Sequence, residues 1–182
     1  MNVILNGLLQ QPNNYRKSKM RRFLLISLLI VPILSFSQGT TNNKKINWIS
    51  LEKAEKYASK YNKNILIFFY KPECPYCDRM KKETMSNPEI IKLINENFLP
   101  VKLNGYTKDT IVYNGKVYGN QQPESSGRYD WRHDFYYEVG KYNKGIITPS
   151  IVIMNSKHEK VTMFPGFKPK IQLLREMKPY IK

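Results

Sequence analysis

Residues 65–70 read Ile-Leu-Ile-Phe-Phe-Tyr and lead within four positions to Cys74-Pro75-Tyr76-Cys77, a junction that constrains the fold more than any other stretch. An unbroken apolar run of this length is expected for a central strand buried on both faces. A helix is expected directly after it. Proline in a first helical turn loses no intrahelical hydrogen bond and already has helical φ, so Pro75 suits a helix start just inside Cys74. The remainder of that helix is expected over 77–85, with Asn87-Pro88 ending it and restarting helical structure through Ile90, Ile91 and Ile94.

The two cysteines are the only ones in 182 residues. In a strand-then-helix setting, C-x-x-C is the arrangement of a reversible dithiol/disulfide couple. If the first cysteine ends the loop and the second lies one turn inside the helix, the sulfurs can close a small ring. Unpaired backbone N–H groups and the positive end of the helix dipole then favour thiolate on Cys74, which becomes the nucleophile, while Cys77 resolves the mixed disulfide. Two other readings stay open. One is an inert local disulfide; the other is half of a zinc site completed by His133 and His158, which lack the spacing of compact zinc modules.

Residues 20–37 have the grammar of a secretory signal: Met20-Arg21-Arg22, an apolar stretch over 23–34, then Ser35-Phe36-Ser37 as a cleavage site. Translation is expected to start at Met20, because 1–19 carry their basic cluster after an apolar run rather than before it. The apolar stretch is about half the ~20 residues of a spanning helix and contains Pro32, which argues against a stable membrane span. No cysteine stands at the cleavage site to carry lipid. Export, with the periplasm as destination, would separate the couple from the cytosolic thiol pool, so it would need a membrane-derived electron donor or acceptor.

The whole chain carries a formal charge of +16; without 1–37 there remain 25 basic residues against 14 acidic, or +11. The lysines are scattered, with no Arg-rich stripe or aromatic-interleaved basic motif, so a solvated basic surface is expected and nucleic-acid binding is not.

After a polar lead over 38–47, residues 48–182 are read as one domain. Helical spacing over 50–61 puts Leu51, Ala54, Tyr57, Ala58 and Tyr61 on one face. A second strand is expected over 98–103, giving a βαβ unit with a right-handed crossover. Strands over 151–154 and 160–164 follow, and a last helix whose stripe is Ile171, Leu173, Leu174 and Met177. Between the second and third of these strands lies an insertion of about 44 residues, 104–147. Within it, β-prone runs around Asn114-Gly115 signal a type I′ hairpin over 110–118, and Trp131, Phe135, Tyr136, Val139 and Tyr142 suggest a helix over 130–142. Its seven tyrosines (106, 113, 118, 129, 136, 137, 142) either pack the added helix on the sheet or recognise a client or glycan. His133 on that helix is expected to be exposed.

With its strand leading into C-P-Y-C, its βαβ unit, Thr148-Pro149 before the third core strand and Gly166 ahead of the last helix, the chain resembles the thioredoxin superfamily over about 48–182. The resemblance implies an α/β fold with a central mixed sheet flanked by helices, and a hairpin-plus-helix insertion before the cis-proline strand. It also implies exported thiol-disulfide exchange with protein clients, most readily as a reductase, with no bound cofactor and no metal. Pro149 then corresponds to the family's cis-proline, which packs against the disulfide. A cis bond there lets the Thr148 backbone pair with an extended client, and Pro75 and Tyr76 complete the client site. Two departures stand out: Glu73 and Pro-Tyr replace the Trp and Gly-Pro of thioredoxin itself, and the family's buried acid falls at Phe68. Glu73 is expected to be solvated, or else to tune Cys74 in place of that acid. The rival from another class is a non-catalytic binding module that recruits a partner through 104–147.

Overall fold

Ser50 starts the first helix by capping it: its Oγ accepts the Lys53 N–H at 3.2 Å, and α1 runs Leu51–Tyr61 until Asn62 enters the left-handed region at φ 49. The computed structural model describes residues 44–121, 131–143 and 145–181. The expected signal over 1–37, the start at Met20, the first part of the lead and Tyr129 lie outside the described residues. The lead is anchored by its last residues: Ile46 is buried, and Asn95 accepts from Asn47 N–H and donates to the Lys45 carbonyl.

Two alanines let α1 lie close on the sheet, which buries Leu51, Ala54 and Ala58. Tyr61, expected on that stripe, is exposed; it stands edge-on to Tyr57 at 5.5 Å at the border of the helix face.

The apolar run forms β1 (Asn64–Tyr70), and its five central residues are buried. The chain then passes through α2 (Pro75–Arg79), a π turn (Met80–Thr84) and α3 (Pro88–Asn97, capped by Asn87 Oδ1) to β2 (Phe98–Asn104), parallel to β1. The helix starts at Pro75, just inside Cys74 as expected, but changes pitch halfway, with the Met85 N–H reaching back five residues to the Met80 carbonyl. Downstream, β5 (Ser150–Met154) pairs antiparallel with β1, and β6 (Lys160–Pro165) pairs antiparallel with β5. The sheet order is β2-β1-β5-β6. The last helix, α5 (Lys170–Met177), buries Leu173 and Met177 but leaves Ile171 79% exposed. Two residues before Leu173, Ile171 is about 200° away around the helix, which removes it from the expected stripe.

Alternation along β1 divides the core in two. Ile65, Ile67 and Phe69 pack with α1 and the insertion; Leu66 and Phe68 pack with Met80, Met85, α3 and α5. Truncating Phe68 or Phe69 would cost about 3–5 kcal/mol on this account.

The insertion holds a hairpin, β3 (Ile111–Tyr113) and β4 (Lys116–Tyr118), with Asn114 and Gly115 at φ 51 and 71 as a type I′ turn requires. The added helix is shorter than its spacing suggests. α4 covers only Asp134–Val139, begun by His133 and ended at Gly140, so Trp131 and Tyr142 lie outside it and are exposed. Tyr106, Tyr113, Tyr118 and Tyr136 are buried. The Tyr136 ring fills a slot between two glycines, where a Cβ on either Gly105 or Gly140 would approach it to 2.3 Å.

His133 corrects the expectation of an exposed histidine: it is 1% exposed. Its Nδ1 accepts the Phe135 N–H at 3.2 Å and its Nε2–H donates to the Asp109 carbonyl at 3.0 Å. Burial pushes its pKa below the ordinary value, against that carbonyl and the charges of Asp134 and Asp109. As pH falls below about 6.5 the unfolded chain therefore binds a proton that the folded chain resists, and stability is lost. His133→Asn, which keeps a capping acceptor, is expected to shrink the loss of thermal midpoint between about pH 7.5 and about pH 5; an unchanged pH dependence would assign that loss to other groups. Gly105→Ala is expected to destabilise by about 1–3 kcal/mol in urea unfolding through overpacking against Tyr136, and a neutral result would show that the slot can widen.

Candidate active site

The turn from β1 into α2 places one cysteine at the helix start and the other one turn inside it. Glu73 takes a left-handed conformation at φ 51, and Cys74, extended at φ −113 and ψ 100, becomes the N-cap of α2 with Pro75 in the first turn. Cys74 Sγ accepts the Cys77 N–H at 3.1 Å, and its carbonyl accepts the Asp78 N–H at 3.0 Å. The cysteines are joined as a disulfide with Cα atoms 5.2 Å apart. Cys74 is 4% exposed and Cys77 fully buried. In the dithiol form the same N–H and the helix N-terminus would face negative charge on Cys74 Sγ.

Around this turn Pro75 and Glu73 are exposed and Tyr76 is 63% exposed. Glu73 is thus solvated. The position of the family's buried acid holds Phe68, fully buried and stacked between Trp48 and Tyr70 with ring centroids 6.2 Å away on either side. The helix is fastened to the loop after β6 at two points: the Arg79 guanidinium lies 4.3 Å from the Phe167 ring centroid, and Thr84 Oγ1 donates to the Lys168 carbonyl at 2.6 Å.

Phe69 pairs with Ser150, so the end of β1 and the start of β5 are neighbours, and the Cys74 and Pro149 turns lie at the same end of the sheet. The Thr148–Pro149 peptide is cis. Pro149 O accepts the Gly166 N–H at 2.8 Å, where Gly166 itself turns at φ 74. Among the described residues no backbone group hydrogen-bonds the Thr148 N–H or carbonyl, in the bend just before β5.

On the other side of this loop stands Tyr136. Its ring stacks on Phe69 at 4.1 Å and 12°, and its hydroxyl is 2.8 Å from Ile147 O, 3.2 Å from Thr148 Oγ1 and 2.8 Å from Ser150 Oγ. Sequence reading gives it no part beyond packing or recognition by tyrosines as a group. Its partners lie 11 to 14 positions away, beyond any local spacing, and Gly105 and Gly140 are its nearest trace in the sequence.

The two histidines are engaged elsewhere. His158 bridges Ser59 Oγ at 3.1 Å and the Tyr113 hydroxyl at 3.3 Å, and His133 is held as described. Among the described residues no three His, Cys, Asp or Glu side chains are grouped to hold a metal ion. None of the described helices is long and apolar enough to cross a membrane.

Comparison with known proteins agrees with this architecture. A thioredoxin-like domain profile matches residues 51–180. An uncharacterised protein of Archaeoglobus fulgidus is 26% identical over 88 residues, which cover 48% of this chain and 67% of that protein. The fold is similar to that of the DsbH oxidoreductase, with TM-score 0.52, 14% identity, 75% of this chain and 84% of the other. It is also similar to a thioredoxin from Thermus thermophilus, with TM-score 0.50, 17% identity and coverage of 74% and 86%. A putative disulphide isomerase from Bacteroides thetaiotaomicron gives TM-score 0.50, 18% identity and coverage of 74% and 92%.

Reduced protein treated with one equivalent of iodoacetamide is expected to carry the label on Cys74, as read by peptide mass. Labelling of Cys77 first would exchange the two roles.

Proposed function

The chain belongs to the thioredoxin-like domain family, and on that premise we propose that it is an exported thiol-disulfide oxidoreductase that reduces disulfides in protein clients. The observation that carries this reading is Cys74 at the helix N-cap, with the Cys77 N–H on its sulfur, at the same end of the sheet as the cis Thr148–Pro149 turn. Cys74 thiolate attacks one sulfur of a client disulfide; a Cys74–client disulfide forms and the second client sulfur leaves as thiolate. Cys77, deprotonated, then attacks Cys74 Sγ, which forms the intramolecular disulfide and releases the first client sulfur. Two electrons pass to the client, whose two sulfurs take up the two protons. Each turnover leaves Cys74–Cys77 oxidised, so a membrane-derived electron donor is required to restore the dithiol in an oxidising compartment.

Thr148 and Pro149 seat the client backbone by strand-like pairing, with Pro75 and Tyr76 on the exposed rim of the cysteine turn. Export to the periplasm rests on the signal grammar of 20–37. The electron carrier is the disulfide itself, and no further cofactor takes part.

A second reading, a binding module acting through 104–147, is favoured by the exposed Trp131, Tyr137 and Tyr142. Loss of activity in Cys74→Ser separates it from the enzyme; activity that survives in Cys74→Ser but not after disruption of those three aromatic residues would select the binding module. A Cys77→Ser variant is expected to accumulate mixed disulfides with clients, since the resolving step is removed. Equilibrated against dithiothreitol and read by alkylation, the couple is expected near the roughly −270 mV of a reductase. A value near about −120 mV would reverse the direction of transfer.

A further inference from the structure

The insertion reaches the client edge through one oxygen atom. We propose that the Tyr136 hydroxyl is a positioning group for Thr148, so that the insertion sets how well a protein client is held against Cys74; this rests on the oxidoreductase reading above.

Tyr136 can position a neighbour because it is itself immobile. It is fully buried, stacked face to face on Phe69, and confined between Gly105 and Gly140. Phe69 is paired with Ser150 across the sheet, so the ring is referenced to the strand that begins at the client edge.

The hydroxyl is used to its full capacity. Its single proton goes to the Ile147 carbonyl at 2.8 Å, which leaves two acceptor positions. Thr148 Oγ1 at 3.2 Å and Ser150 Oγ at 2.8 Å must then both donate to it. Residues before, at and after the cis peptide therefore converge on one atom. Arg132 adds to this grip, with its guanidinium donating to the Ile146 carbonyl at 3.2 Å. The carbonyls of 146 and 147 are held by Arg132 and Tyr136 and the Thr148 side chain is tethered to Tyr136, while among the described residues no backbone group pairs the Thr148 N–H or carbonyl. Burial raises the pKa of the phenol, so it stays a neutral donor at working pH.

An ordinary core tyrosine would contribute through its ring. A positioning tyrosine contributes through its oxygen, and it acts on client binding rather than on the disulfide. Tyr136→Phe keeps the ring in its slot and removes only the hydroxyl. With insulin as the protein disulfide, Tyr136→Phe is expected to raise KM about tenfold with kcat within about twofold of wild type. With hydroxyethyl disulfide, too small to use the strand edge, the rate is expected to stay within about twofold, and the reduction potential is expected not to move. Thr148→Val, which removes the hydroxyl on the other side of the same contact, is expected to raise the insulin KM similarly. The double variant should be no worse than the poorer single variant, because both remove one interaction. Should Tyr136→Phe fail to fold, Thr148→Val carries the insulin expectation alone.

An unchanged insulin KM, equal losses on both substrates, or additive losses in the double variant would each overturn the positioning role. Wild-type protein inactive on both disulfides would remove the oxidoreductase reading itself, and the inference with it.

Discussion

Burial of β1 on both faces is the constraint from which the other elements take their places. A strand with no solvated face must be sandwiched, and its alternating residues assign each flanking element to a side: Ile65, Ile67 and Phe69 to α1 and the insertion, Leu66 and Phe68 to the helices between β1 and β2 and to α5. It must also be paired on both edges, by β2 and β5. The cysteine turn is located by the same requirement. The strand delivers Cys74 to one end of the sheet, and its antiparallel partner β5 begins at that end, so the cysteine turn and the Thr148–Pro149 turn lie at the same end.

The site shows a division of labour between backbone and side chains. Backbone groups address the sulfur: the Cys77 N–H and the helix N-terminus lie where negative charge would develop. Side chains address the frame: Arg79 and Thr84 hold the helix to the loop after β6, and Tyr136 holds the proline loop to the insertion. At the position where the resemblance places a buried acid, the chain has Phe68 in a stack with Trp48 and Tyr70.

Much of this was legible in the chain because it follows from short spacings. The apolar run, the C-P-Y-C junction, the Asn-Gly hairpin and Thr148-Pro149 each depend on neighbours within a few positions. What escaped was set over longer range. His133 reads as a lone polar residue, yet it is buried because the Asp109 carbonyl, 24 residues away, accepts from it. Ile171 reads as part of a stripe, and its angle on the helix turns it out. α4 is shorter than its spacing suggests because Trp131 and Tyr142 keep helical spacing on either side of a segment that His133 and Gly140 delimit. Tyr136 is one of thirteen tyrosines, and nothing in its surroundings in sequence sets it apart.

The π turn at Met80–Thr84 reconciles a spacing that an α-helix would refuse. Met80 and Met85 both enter the core beneath β1 although they are five residues apart, about 140° out of phase on a regular helix. Closing the turn across five residues brings them to one side, and the helix carries one residue more than its length of core contact needs. This turn is therefore a place where the chain can change length. Loss of one residue between the two methionines returns the helix to α geometry with both still facing inward, so a chain one residue shorter here can keep the same cysteine turn and the same packing beneath it.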